Sequence, residues 1–423
     1  MKYEKMQIKK GINLHCINTD KFKTNLIAVF LTTNIKREDV TKNALISSVL
    51  RRGSKNMPTQ EEISKTLENM YGASFDCGID RTGKNQVLKF YIESLNDNFL
   101  PSNNENLLEQ SFNKLFEIVF NPFIEKGGFK AEYVEQEKNT IKNIIEGRVD
   151  NKARYAMDRC IEEMYGKDGY GIFKYGYTED LAKINNVELY NAYKKLLNEC
   201  KIDIFVSGML NENTIKMIQE NENIKMLSDR EAMYIPTVLE NRKMPTEEKI
   251  QQDSMEVSQG KLVVGLDVDI KDEDEKFDVL IYNTILGGSA NSKMFQNVRE
   301  KEHLAYVASS NYLRHMNNIF INCGIEIENY EKTVDLIKKQ IEDLKNGDFS
   351  DEDIINAKKV IISGIKSIDD EQDSQITYKF GQELANIKID LDEYMKIIEK
   401  INKEDILKIA KSVYINTIYF LKD

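Results

Sequence analysis

Apolar and polar positions along this chain repeat with two different periods, and the periods mark out its elements. NLIAVFLTT (25–33), QVLKFYIESL (86–95), GKLVVGLDVD (260–269) and NIFINCGIEI (318–327) are short runs rich in β-branched and aromatic residues, and the third alternates clearly. These read as strands. ELYNAYKKLLNEC (188–200) and YEKTVDLIKKQIEDLKNG (330–347) read as helices that follow them. TKNALISSVLRRGSKNMP (41–58) opens with a further helix, in which Val40, Leu45 and Val49, and Ile46 and Leu50, supply apolar contacts. Glu38 and Asp39 suit its N-terminus by capping and dipole, and Gly53 suits its end. Ala44, Ser47 and Ser48, spaced i, i+3, i+4, then share one face that carries only small side chains.

The pattern is duplicated. NIKREDVTKNALISSVLRRGS (34–54) lies over DIKDEDEKFDVLIYNTILGGS (269–289) at a constant offset of 235, with Lys36/Lys271, Asp39/Asp274, Leu45/Leu280, Ile46/Ile281 and Gly53/Gly288 among the identical pairs. FKAEYVEQEKNTIKNII (129–145) lies over FSDEDIINAKKVIISGI (349–365) at an offset of 220. The chain therefore reads as two homologous halves, each running strand, helix, strands, helix, helix. Strands grouped ahead of helices predict an α+β class, with helices on one face of a mostly antiparallel sheet in each half. Residues 1–227 and 250–423 are the expected domains. The polar segment 228–249, SDREAMYIPTVLENRKMPTEEK, carries two of the five prolines and reads as the linker.

Composition narrows the partners. At 423 residues, 41% apolar and 30% charged, the chain is ordinary globular material. A net charge of −11 disfavours duplex nucleic acid or an anionic membrane surface as the main partner. The N-terminal stretch lacks a continuous apolar segment and LIAVFL (26–31) is too short to span a bilayer, so a cytoplasmic location is expected. Cys16, Cys77, Cys160, Cys200 and Cys323 are scattered and odd in number, which predicts buried free thiols. The three histidines, His15, His303 and His315, include no pair three or four apart, so no helix can present two imidazoles to a metal. His15 and His303 have no local partner in sequence and read as structural or exposed. GGSANS (287–292) is too short for a phosphate loop and lacks its Lys-Ser/Thr pair; Gly287 and Gly288 instead suit the close of one helix before another begins near Asn291.

The duplication, the helix ending in RRGSKNMP, FNPFIEKGGF (120–129), KYGYTEDLAKI (174–184) and above all ILGGSANSKMFQNVREKEHLAY (285–306) together resemble the pitrilysin/insulinase-type zinc peptidases, in the processing-peptidase-like branch. Active members of that family carry H-x-x-E-H on the first helix and a ligand Glu on a later one. The resemblance places Ala44 and Ser48 where the histidines stand, Ser47 where the general base stands, and Asn143 where the third ligand stands. All four positions lack metal chemistry. A catalytic zinc needs about three protein ligands and lowers the pKa of its water from ~15.7 to ~7, which hydroxyls do not replace. No cofactor, no metal and no peptidase activity of the chain alone are therefore expected.

The family also uses an Arg and a Tyr seven positions apart in the second half to hold substrate backbone; Arg299 and Tyr306 have that spacing. The resemblance thus implies a metal-free subunit that pairs with a zinc-bearing homologue, encloses peptide or unfolded polypeptide, and supplies chamber wall together with Arg299 and Tyr306. It also places Ser74–Ile79 on a substrate-binding edge strand, and the loop 287–292 where metal-free subunits touch substrate. Similar chains in Gram-positive bacteria are named for an association with elongation factor P 5-aminopentanol modification. Two other readings stand beside this one: a stand-alone or homodimeric peptide-binding scaffold, and a residual hydrolase with a different metal site.

Overall fold

The computed structural model describes residues 2–101, 106–236 and 242–423. The chain clusters into two compact units: Met1–Glu146, Ile172–Ile235 and Asp369–Gly381 form the first, and Gly147–Gly171, Pro236–Ile368 and Gln382–Asp423 form the second.

The first unit is built on strands β1 (Lys2–Lys9), β2 (Ile12–Asn18), β3 (Thr24–Asn34), β4 (Ser74–Thr82), β5 (Asn85–Leu95) and β6 (Lys201–Gly208). They lie in the order β1-β2-β6-β3-β5-β4, antiparallel except for β2 beside β6. Alternation then divides the side chains. Ile27, Val29, Leu31, Leu88, Phe90 and Ile92 join the core shared with helices α1 (Val40–Leu50), α2 (Leu107–Phe120), α3 (Ala131–Glu146) and, further along the chain, a helix over Asn186–Glu199. The intervening Phe30 and Phe205 point to the opposite face.

In the second unit β7 (Lys249–Ser254), β8 (Gly260–Val268), β9 (Ala305–Leu313), β10 (Asn318–Ile325) and β11 (Val413–Lys422) follow the order β9-β10-β8-β11-β7, again antiparallel except for one pair, β11 beside β7. One face packs on the helices Glu275–Leu286, Tyr330–Lys345 and Asp351–Ile368. The α+β class and the two sheet-and-helix halves are thus as the sequence predicts.

Each sheet also has a helix on its second face, and the two helices are exchanged between the halves. α4 (Lys152–Tyr165), which follows α3 in sequence, packs Ala156, Cys160 and Ile161 against Val263, Phe320 and Tyr419 of the second sheet. Gly265 of β8 makes room: a Cβ there would run into Met164 of α4. Its counterpart at the same offset of 220, the helix α5 (Gln372–Ala385), contributes Ile376 and Phe380 to the first unit, and the Phe380 ring stands edge-on to Phe30 at 4.8 Å. Duplication and spatial clustering therefore divide the chain differently. Residues 147–171 lie inside the expected domain 1–227 yet belong to the second unit, and 369–381 lie inside 250–423 yet belong to the first. Of the expected linker, residues 237–241 lie outside the described residues.

The face of the first sheet that receives α5 also buries polar groups. His15 is fully buried, stacked on Phe205 at 4.2 Å, with Nε2 3.0 Å from Asp203 Oδ1 and Nδ1 2.8 Å from the Tyr3 hydroxyl. Asn13 Nδ2 donates to Asp203 Oδ1 at 3.0 Å, and Lys201 Nζ lies 3.1 Å from Oδ2. Burial opposes ionisation of Asp203, but Lys201 and His15 outweigh it and hold the carboxyl well below the usual carboxylate range.

Two outcomes are expected. Phe380→Ala removes a buried ring from the exchanged helix and destabilises the first unit by about 3–5 kcal/mol, read as a lower urea midpoint. Because the folded-state pKa of Asp203 is depressed, its contribution is present above the unfolded value near ~3.9 and disappears as pH falls below it. The melting temperature of the wild type should begin to fall as pH drops below about 5 and go on falling below about pH 3, and Asp203→Asn should be less stable at pH 7 with a flatter profile across that window.

Candidate functional site

Helix α1 carries the small-residue face, and the structure buries it. Ala44 is 0% exposed, Ser47 2%, and Ser48 is half-buried. The Cys77 thiol of β4 donates to the Ser47 carbonyl at 3.7 Å, and burial pushes that thiol up to about 11, so it is not a thiolate at neutral pH. Asp39 occupies the N-cap position but makes no side-chain cap; its carboxylate instead takes Lys195 at 3.3 Å. Gly53 lies beyond the helix, which closes at Arg51, and its missing side chain admits the Pro58 carbonyl.

Helix α3 packs against α1 and carries Asn143, which is exposed. The ionisable group it does bury is Glu137, whose Oε1 lies 3.4 Å from Arg52 Nη1. Burial raises the Glu137 pKa, and Arg52 and Arg51 pull against that rise. A guanidinium from the end of α1 therefore balances the carboxylate of α3. The expected ligand positions supply a methyl group, a hydroxyl and an amide, the expected general-base position supplies a second hydroxyl, and among the described residues no three His, Cys, Asp or Glu side chains are grouped to hold a metal ion. This donor set does not fit zinc.

In the second unit Arg299 and Tyr306 are brought together by two backbone irregularities. A π-helical segment, Met294–Lys301, carries Arg299 one turn after Phe295. In the β9–β10 ladder Ala305 faces Ile325 and Val307 faces Gly324, which leaves Tyr306 as the extra residue of a β-bulge. Tyr306 is accordingly 73% exposed and Val307 48%. The guanidinium of Arg299 lies 4.5 Å from the Phe295 ring and 5.7 Å from the Tyr306 ring. His303, in the left-handed region at φ 51°, turns the chain between the two elements. Arg299, His303 and Tyr306, with Gln259, Gly324 and Glu326, line a surface depression of about 350 Å³. Arg299 Nε is 3.4 Å from Glu300, an exposed pair of small energetic weight. Guanidinium N–H groups and a phenol at one rim can donate to backbone carbonyls.

The remaining sequence candidates fall elsewhere. Gly287 and Gly288 close the helix Glu275–Leu286; Ser310 N–H donates to the Gly287 carbonyl at 2.9 Å, and a side chain at 287 would strike Ser310. Gly287 is thereby explained by close packing on β9, and a side chain at Gly288 would crowd Thr284 of the helix it closes. Ser74–Ile79 lies in β4, at the edge of the first sheet. His315 offers its carbonyl to Tyr170 at 3.0 Å. Sequence reasoning missed Glu137 and Phe295. The EQEK stretch and the FQNVR spacing were the available signals, but neither says what the side chains meet.

The fold is that of a peptidase-like protein in which, among the described residues, no side-chain group is arranged to hold a metal ion. The chain belongs to the M16 peptidases, the pitrilysin/insulinase type, as a non-catalytic member. Residues 183–361 match the family profile described as "Peptidase M16 inactive domain". The "Probable inactive metalloprotease YmfF" of Bacillus subtilis is 32% identical over 419 residues, covering 97% of this chain and 96% of that protein. The "Uncharacterized zinc protease YmxG" of the same organism is 23% identical over 289 residues, 68% of this chain and 69% of that protein. A conserved protein from Enterococcus faecalis V583 superposes with a TM-score of 0.90 at 28% identity, covering 100% of this chain and 99% of its own. Among the described residues no helix is long and apolar enough to cross a membrane.

Because Ala44 has no free surface, an imidazole there overpacks the α1 interface. Ala44→His should cost about 1–3 kcal/mol in thermal unfolding, and the combined variant Ala44→His, Ser47→Glu, Ser48→His, Asn143→Glu should retain no stoichiometric zinc after dialysis.

Proposed function

We propose that this chain is the metal-free subunit of a cytoplasmic peptide-processing heterodimer, paired with a zinc-bearing homologue and holding the backbone of an extended substrate through Arg299 and Tyr306. The observation that carries this reading is the contrast between the two candidate sites. The positions expected to bear metal ligands hold a methyl, a hydroxyl and an amide, while the Arg299 guanidinium lies 4.5 Å from the Phe295 ring and 5.7 Å from the Tyr306 ring, and Tyr306 is bulged into solvent beside it. A guanidinium stacked near an aromatic ring and an exposed phenol beside it offer donors to a substrate carbonyl, which favours recognition over a purely structural role. The occurrence of both an inactive and a zinc-protease relative in B. subtilis supports a division of labour between homologues.

Co-expression with a zinc-bearing homologue tests it. A one-to-one complex that cleaves unfolded casein and stops with chelator is expected, with neither chain active alone. Arg299→Ala in this chain should lower kcat/KM of the complex by roughly 10²-fold while its zinc content stays unchanged. A chain that remains a monomer or homodimer in the presence of the homologue and still binds peptide identifies a scaffold instead.

A further inference from the structure

β4 is the outer strand of the first sheet. It pairs with β5 without a break, from Ser74 opposite Glu93 to Thr82 opposite Asn85, and among the described residues no strand lies on its other side. In an unbroken antiparallel ladder alternate amides face away from the partner, so those of residues 75, 77, 79 and 81 share one direction. Two of them are already occupied by the chain itself. Cys77 N–H donates to Asp76 Oδ1 at 2.8 Å, and Arg81 N–H donates to Asp80 Oδ1 at 2.8 Å. The same device thus appears twice, four residues apart, on the one edge. Gly78, midway between the two, carries no side chain, and a Cβ built there would meet nothing within 4 Å on that face of the sheet.

We propose that Asp76 and Asp80 guard the outer edge of β4 against an added strand. Each carboxylate fills the donor that a guest main-chain carbonyl needs, and sets negative charge where that carbonyl oxygen would come. The excluded occupant is an extended polypeptide segment pairing through its backbone. The guards differ in anchorage. Asp80 is held by Lys89 at 3.0 Å and by Lys174 at 3.7 Å. Burial raises its pKa, but the two lysines prevail and keep it low, so it stays charged. Asp76 is exposed, so the Ser74–Gly78 end is the end that opens first. This inference is independent of the role proposed for Arg299 and Tyr306, which lie in the other unit.

The test uses the full-length protein and a fluorescent peptide with the sequence of residues 86–95, whose main chain already pairs with β4 in the fold. Relieving one guard should tighten binding roughly threefold in Asp76→Ala, and relieving both at least about tenfold in Asp76→Ala, Asp80→Ala. Asp76→Asn keeps the acceptor oxygen but removes the charge, and should gain less affinity than Asp76→Ala. Methylating alternate peptide amides should erase the gain, and Arg299→Ala should leave it untouched. Self-association of the double variant that excess peptide reverses also supports the proposal, with a second copy as the guest. Should the double variant fail to fold, the Asp76→Ala and Asp76→Asn pair decides. Equal affinity of wild type and folded Asp76→Ala overturns the proposal, including the case in which neither binds.

Discussion

A sheet of this kind has two apolar faces, and neither half of this chain covers both of its own. In the first half α1, α2, α3 and the helix Asn186–Glu199 fill one face, and in the second the helices Glu275–Leu286, Tyr330–Lys345 and Asp351–Ile368 do so; the other face is closed by a helix from the opposite half, α4 on the second sheet and α5 on the first. Burial of Phe30 and Phe205, and of the His15–Asp203 network beside them, depends on that loan. Because buried polar groups are costly when water reaches one partner and not the other, the exchanged helix protects an electrostatic arrangement as well as apolar area. The duplication seen in sequence is therefore a description of ancestry, while the units that fold are mosaics of both copies.

The same economy shapes the two candidate sites. In the first half α1, where the family resemblance places the metal-ligand positions, is a packing helix, its small residues taken up by neighbours and the nearby carboxylate of Glu137 balanced by Arg52. The equivalent positions of the second half, at the offset of 235, are Val279, Tyr282 and Asn283, and Tyr282 is fully buried. Both copies of this helix now serve the core. What stays exposed and chemically equipped is the Arg299–Tyr306 rim, where irregular backbone carries the side chains outward. Irregularities of this type cost stability and persist where they position something.

Much of this was legible beforehand, for identifiable reasons. The strands could be read because alternation reports which residues share a face, and the duplication because the helices keep common offsets. The Arg299–Tyr306 pair was legible through its motif. Amphipathic spacing, however, says that a face is buried without saying against what, so α4 and α5 gave no sign that they change partners. His15 has its partners 12 and 188 positions away, at Tyr3 and Asp203, beyond any local pattern. The small face of α1 was visible as composition, but only packing decides whether such a face is an open pocket or a closed interface. The bulge at Tyr306 depends on register, which no single strand encodes.

The exchanged helices also set an order of events during synthesis. β6, the last strand of the first sheet, ends at Gly208, whereas the segment that covers that sheet's second face begins at Asp369. At ribosomal rates of ~5–20 residues per second, the ~160 residues between them take roughly 8–30 seconds to emerge. Through that interval the nascent first half holds an uncovered aromatic surface, and its own α4 awaits a sheet not yet made. Such a chain has reason to meet a chaperone before it meets a partner.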